Sequence, residues 1–93
     1  MSVLEDYQSL LTDLIKKQMV MLGPGVALSK AKKVPSLVVS EDGRVTAING
    51  DPQQALNALA NEYMQLSGEI ANATLKSLLE KYPGIGSGEK QTG

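Results

Sequence analysis

Between Asp51 and Tyr82 the sequence reads as one amphipathic helix. Asp51 is a good N-cap, Pro52 suits the first helical position, and Gln54 completes a capping-box-like D-x-x-Q. Apolar or small residues then recur at Leu56, Leu59, Tyr63, Leu66, Ile70 and Ala73, the alternating four-and-three spacing of a packing seam. Pro83-Gly84 ends the pattern. The stretch from Pro52 to Tyr82 spans roughly 46 Å at about 1.5 Å per residue. A compact chain of 93 residues has a radius of gyration of about 12 Å and is roughly 30 Å across. A seam longer than its own domain needs a partner. The helix therefore predicts a homodimer with Leu59, Tyr63, Leu66, Gly68 and Ile70 in the interface.

Ser67-Gly68 interrupts the middle of that helix, where glycine costs about 1 kcal/mol relative to alanine. Ala71 and Ala73 extend a small-residue surface beside it. Close approach of another helix at Gly68 is the favoured explanation. The alternatives are a kink or break into two helices, or a ligand lying against the glycine.

An earlier helix is expected from Val3 to Leu22. Ser2 and Glu5 form a capping box, and Val3, Leu4, Tyr7, Leu10, Leu11, Leu14, Ile15 and Met21 or Leu22 make a wide apolar stripe. Asp13 and Lys17 form an i,i+4 pair in the favourable orientation. Gly23-Pro24-Gly25 stops this helix, and Pro24 starts a short second one to Lys33, with Val26, Ala27 and Ala31 facing inward. From Ser36 to Ile48 the period changes to two around Asp42-Gly43, a strong hairpin signal. A two-residue loop sets Leu37 against Ile48 and Val39 against Thr46. Both faces of this hairpin are partly apolar, and an isolated hairpin is marginal in water, so it must pack on helices or on a second copy.

These elements give an α+β, mainly helical domain over residues 1–82: helix, short helix, β-hairpin, long helix. The two main helices are expected to pack antiparallel and a second copy to complete a four-helix bundle. Residues 83–93 read as a flexible tail. The tail's Gly84 to Lys90 carries glycines like a phosphate-binding loop, but Glu89 separates Gly88 from Lys90 and no helix is expected to follow.

Composition narrows the function classes. Hydrophobic residues make up 42% of the chain, yet there is no Trp and no Phe and there are three Tyr. Leucine and alanine seams between helices fit this better than an aromatic stacking platform does. The absence of Cys and His removes the usual zinc, haem and iron–sulfur ligands and the commonest general base and nucleophile. No cofactor or metal is expected, and the surface carboxylates form no recognisable acid–base pair. A non-enzymatic homodimerising or protein-interaction module is the favoured function. With no apolar run as long as a membrane span and no leader pattern, a cytoplasmic location is expected.

The formal net charge is −1, which argues against nucleic-acid binding, although a β-ribbon could present Arg44 and Thr46 to a groove. The charges are uneven. Lys16, Lys17, Lys30, Lys32 and Lys33 fall between Ile15 and Ser40 without an acid. Gly23 and Gly25 precede a helix N-terminus whose free N–H groups attract anions. With Lys30, Lys32 and Lys33 they form the candidate site for an anionic ligand or nucleotide. Met19 and Met21 offer an adaptable partner surface or, alternatively, core filling.

Overall fold

An apolar stripe on a charged helix has to be covered, and here the second, third and fourth helices and the second strand all pack against the first helix. The computed structural model describes residues 3–85. In chain order they form α1 (Val3–Leu22), α2 (Pro24–Ala31), β1 (Leu37–Val39), β2 (Val45–Ile48), α3 (Pro52–Ser67) and α4 (Glu69–Lys81). This is an α+β, mainly helical fold with a two-stranded antiparallel sheet. Tyr7, Leu10, Leu11, Leu14 and Ile15 of α1 are buried as the stripe predicts, whereas Val3 and Leu4 stay exposed. The stripe also buries Gln18, which lies one turn beyond Leu14 and two beyond Leu11. Ser2, the expected cap, lies outside the described residues.

The single helix from Asp51 to Tyr82 is corrected. Its start is as expected: the Asp51 side chain accepts the Gln53 N–H at 3.0 Å. The helix ends at Ser67, and Gly68 turns the chain into α4 with φ 54° and ψ −117°. This backbone conformation suits glycine because no Cβ obstructs it. Ser67 Oγ donates to the Tyr63 carbonyl at 3.2 Å. An added Cβ at Gly68 would meet nothing within 4 Å, so within one chain close approach of another helix does not explain the glycine. The break does. Two helices of about 24 and 20 Å replace the 46 Å element, and the molecule measures 35 × 27 × 18 Å with a radius of gyration of 12.2 Å.

Long-range hydrogen bonds fix the helix directions. Tyr7 Oη donates to Gln53 Oε1 at 2.6 Å, placing the start of α3 beside the first part of α1. Tyr63 Oη donates to the Ala27 carbonyl at 2.8 Å, placing the end of α3 beside α2, just past the end of α1. Thus α3 runs in the same sense as α1. The expected antiparallel neighbour is α4, which returns so that Tyr82 Oη donates to Asp13 Oδ2 at 2.9 Å. The folded unit continues through a helical turn at 83–85, with Ile85 buried in the core. Residues 86–93 of the expected tail lie outside the described residues.

The hairpin pairs Leu37 with Ile48 and Val38 with Ala47, but Val39 faces Val45 rather than Thr46. Thr46 is the extra residue of a bulge. The two-residue loop is corrected to a three-residue one, Glu41-Asp42-Gly43, closed by Ser40 N–H donating to the Arg44 carbonyl at 2.9 Å. Such loops place a positive-φ residue last, and Gly43 has φ 90°. The hairpin leans on α1, where the Val45 N–H donates to Thr12 Oγ1 at 2.9 Å.

Candidate functional site

The end of α3 lies against α2, next to the corner where α4 begins. The Tyr63–Ala27 hydrogen bond holds them there, and the Lys30–Glu62 ion pair at 3.5 Å reinforces it. Exposed large apolar side chains here are Val26 from α2, Met64 and Leu66 from α3, and Ile70 from α4, while Val20 and Met21 of α1 are exposed beside Lys16, Lys17 and Lys81. Val20 is 87% exposed, Ile70 58% and Leu66 46%. Single exposed hydrophobes are ordinary, whereas several close together can form a contact surface.

The expected interface residues divide between this surface and the interior. Leu59 and Tyr63 are fully buried, at 0% exposure each, and so are unavailable to a partner in this conformation. Burial also raises the Tyr63 phenol above its ordinary value of 10.0. Leu66, Gly68 and Ile70 lie at the exposed corner. Val26, expected inside, is exposed, because α2 turns Ala27 and Ala31 inward instead. Val20 lies off the apolar stripe of α1, so the stripe does not mark it. The available signal was its position one turn beyond Lys16 on the charged face.

The anion-site residues are not brought together as a cradle. Gly23 and Gly25 stand at the start of α2, and Lys30, Lys32 and Lys33 at or beyond its other end, about 12 Å away along eight residues. Lys30 is paired with Glu62, and the Gly23 carbonyl accepts the Ala27 N–H at 3.0 Å. A different set of lysines converges. Lys16, Lys17 and Lys81 line a surface groove of about 400 Å³ with Asp13, Val20 and Met21. Asp13 binds the Tyr82 hydroxyl rather than Lys17. The Tyr82 phenol is raised above 10.0, first by burial and then by its hydrogen bond to Asp13 and by that carboxylate's charge.

On the neighbouring face, Arg44 and Val45 line a second groove with Glu5, Gln8, Ser9, Thr12 and Asp13. Two carboxylates beside Arg44 oppose a phosphate backbone, and the Gln8 amide donates to the Thr46 carbonyl at 3.3 Å, holding that strand on α1. The hairpin turn keeps its own electrostatics. Asp42 accepts hydrogen bonds from Ser40 Oγ and, at 3.2 Å, from the Arg44 N–H. These hold its carboxyl below the ordinary value of 3.8, the Ser40 hydroxyl contributing most.

Gln18 is the polar anomaly of the interior. Its amide is fully buried, and neither Oε1 nor Nε2 has a hydrogen-bond partner. A buried polar group left unpaired costs about 1–3 kcal/mol. Among the described residues no three carboxylates converge on a metal-sized site, and no helix is long and apolar enough to cross a membrane. No family model matches the chain, and neither a curated protein nor a solved structure does.

Proposed function

We propose that the chain is a non-enzymatic homodimerising module whose contact surface is formed by Val26, Met64, Leu66 and Ile70 around the corner between α3 and α4. The observation that carries this reading is the exposure of these side chains, with α2 and α3 joined by the Tyr63–Ala27 bond. Burying them against a second copy removes apolar surface from water, at about 25 cal/mol per Å². A stable interface needs roughly 800 Å² from each partner. The regulatory or adaptor role of such a module follows from what a dimer presents to other proteins.

Light scattering tests the reading directly. The wild-type protein is expected to scatter as a dimer at tens of micromolar, and the Leu66→Glu/Ile70→Glu double variant as a folded monomer. A wild-type monomer at that concentration rejects the proposal.

A second reading is a module that senses a small anionic ligand. It is favoured by the convergence of Lys16, Lys17 and Lys81 on one groove. A thermal-shift series with inorganic phosphate and nucleotides tests it, since a ligand at a hundred times its Kd adds about 2.7 kcal/mol. Unchanged melting with all of them rejects it.

A further inference from the structure

The break at Gly68 interrupts a pattern that does not stop there. The spacing of Leu56, Leu59, Tyr63, Leu66, Ile70 and Ala73 runs through the corner in one helical phase, although the backbone does not. In the bent form Leu59 and Tyr63 are buried while Leu66 and Ile70 of the same seam face solvent.

The corner is weakly defended. Gly68 closes α3 and opens α4, and α4 has no side-chain cap. Its backbone bonds are Gly68 N–H to the Met64 carbonyl at 2.9 Å and Asn72 N–H to the Gly68 carbonyl at 3.1 Å. Among the described residues, Glu69, Ile70 and Ala71 N–H make no bond to the Gln65, Leu66 and Ser67 carbonyls. Those are the partners a continuous helix would give them, so each set of open groups complements the other. No proline enforces the bend, and a Cβ added at Gly68 would meet nothing within 4 Å. The bend rests on one positive-φ glycine.

What α4 does once bent is also transferable. It seats on α1 through buried Ala71 and Leu78, the Tyr82–Asp13 hydrogen bond and, beyond its end, Ile85. Every second copy of the chain offers the same seat.

We propose that α4 is an exchangeable arm. When Gly68 enters the α region, α3 and α4 join into one helix, and α4 docks on the α1 of a second copy while that copy's α4 docks in return. The exchange keeps the contacts of α4 with α1, restores the three hydrogen bonds across Gly68, and sets Leu66 and Ile70 of the two straight helices beside the two-fold axis. The occupant is a second copy because the seat is shaped by this chain's own α4. Exchanging an identical element is a low-cost route to a dimer, and hinge substitutions control it. The inference rests on the reading of the chain as a dimerising module, and adds how the dimer forms.

Gly68→Ala tests it, because alanine disfavours the bent backbone and favours a continuous helix. The chain has no cysteine, so Asn57→Cys and Lys76→Cys, both at exposed positions, accept a spin-label pair. In a straight helix these positions lie about 28 Å apart along the axis, and in the bent form they are closer. Gly68→Ala is expected to scatter as a dimer with the 28 Å separation within each chain. A monomeric Gly68→Ala overturns the exchange. So does a dimer that retains the short separation, although that result leaves contact through the apolar corner standing. If Gly68→Ala fails to fold, the labelled wild-type protein decides. A 28 Å population growing with concentration supports the exchange, and one short separation at every concentration rejects it.

Discussion

Gly43 in the hairpin turn and Gly68 at the helix corner both take a positive φ, +90° and +54°, yet their surroundings are opposite. Gly43 is buried against α1, where an added Cβ would lie 2.6 Å from Met19 Sδ and 3.3 Å from Ile15 Cγ2. Gly68 is exposed, and a Cβ added there would meet nothing within 4 Å. The first position is fixed twice, by backbone conformation and by close packing. The second is fixed once. A turn fixed twice is a structural corner, and one fixed by a single torsion is a hinge.

The sharpest way to break this comparison is Gly43→Ala. Positive φ costs an L-residue about 1–2 kcal/mol, and overpacking adds about 1–3 kcal/mol. A loss of about 3 kcal/mol is expected, read as a lower urea midpoint at unchanged slope. A loss equal to that of Gly68→Ala contradicts the distinction between the two glycines.

Gln18→Leu probes the helix against which Gly43 packs. Replacing an unpaired buried amide with an apolar group of similar size should stabilise the protein by about 1–2 kcal/mol, raising the urea midpoint. A destabilised variant shows that the amide has partners, such as a buried water, and moves α1 out of the account of strain. Gly68→Ala in dilute monomer should cost about 1 kcal/mol, the torsional part alone. Equilibrium unfolding at low micromolar concentration checks it.

The smallest effects separate the two regions by pH. Asp42 is depressed below 3.8 by Ser40 and Arg44, so its contribution is present above 3.8 and is lost as pH falls through the folded value. Tyr82 is raised above 10.0, mainly by burial, so its contribution is present below 10.0 and is lost as pH rises through the folded value. Acid should therefore loosen the hairpin turn first and alkali the docking of α4, as amide exchange measured across both limbs would show. Asp42→Asn should remove the acid-side response at the turn, and Tyr82→Phe the alkaline response of α4.

The parts of the fold legible in the sequence are those set by local patterning. The α1 stripe, the Asp51 cap, the strands around Asp42-Gly43 and the Gly-Pro-Gly stop all have near-neighbour signals. The break at Gly68 was not legible as more than an alternative, because two helices joined by one glycine keep the same apolar phase as one. The bulge at Thr46 was hidden for a related reason: Asp42-Gly43 suits a two-residue loop as well as the longer one, and packing of Gly43 on α1 accompanies the longer one. Of the candidate surface, Leu66 and Ile70 were readable from the seam, while Val26 depends on how α2 rotates against α3. Gln18 sits at a seam position by spacing, but its polarity hides it from an apolar pattern. The lysines gathered by the fold, Lys16, Lys17 and Lys81, come from two distant segments, which no linear pattern joins.

The central claim is that Gly68 folds a helix-patterned segment back on itself, so that the lone chain is complete with an exposed apolar corner. A spin-label distance between positions 57 and 76 tests it most directly, in wild-type protein diluted until it scatters as a monomer. The account predicts one population clearly shorter than the roughly 28 Å of a straight helix. A dominant separation near 28 Å in that monomer would contradict it.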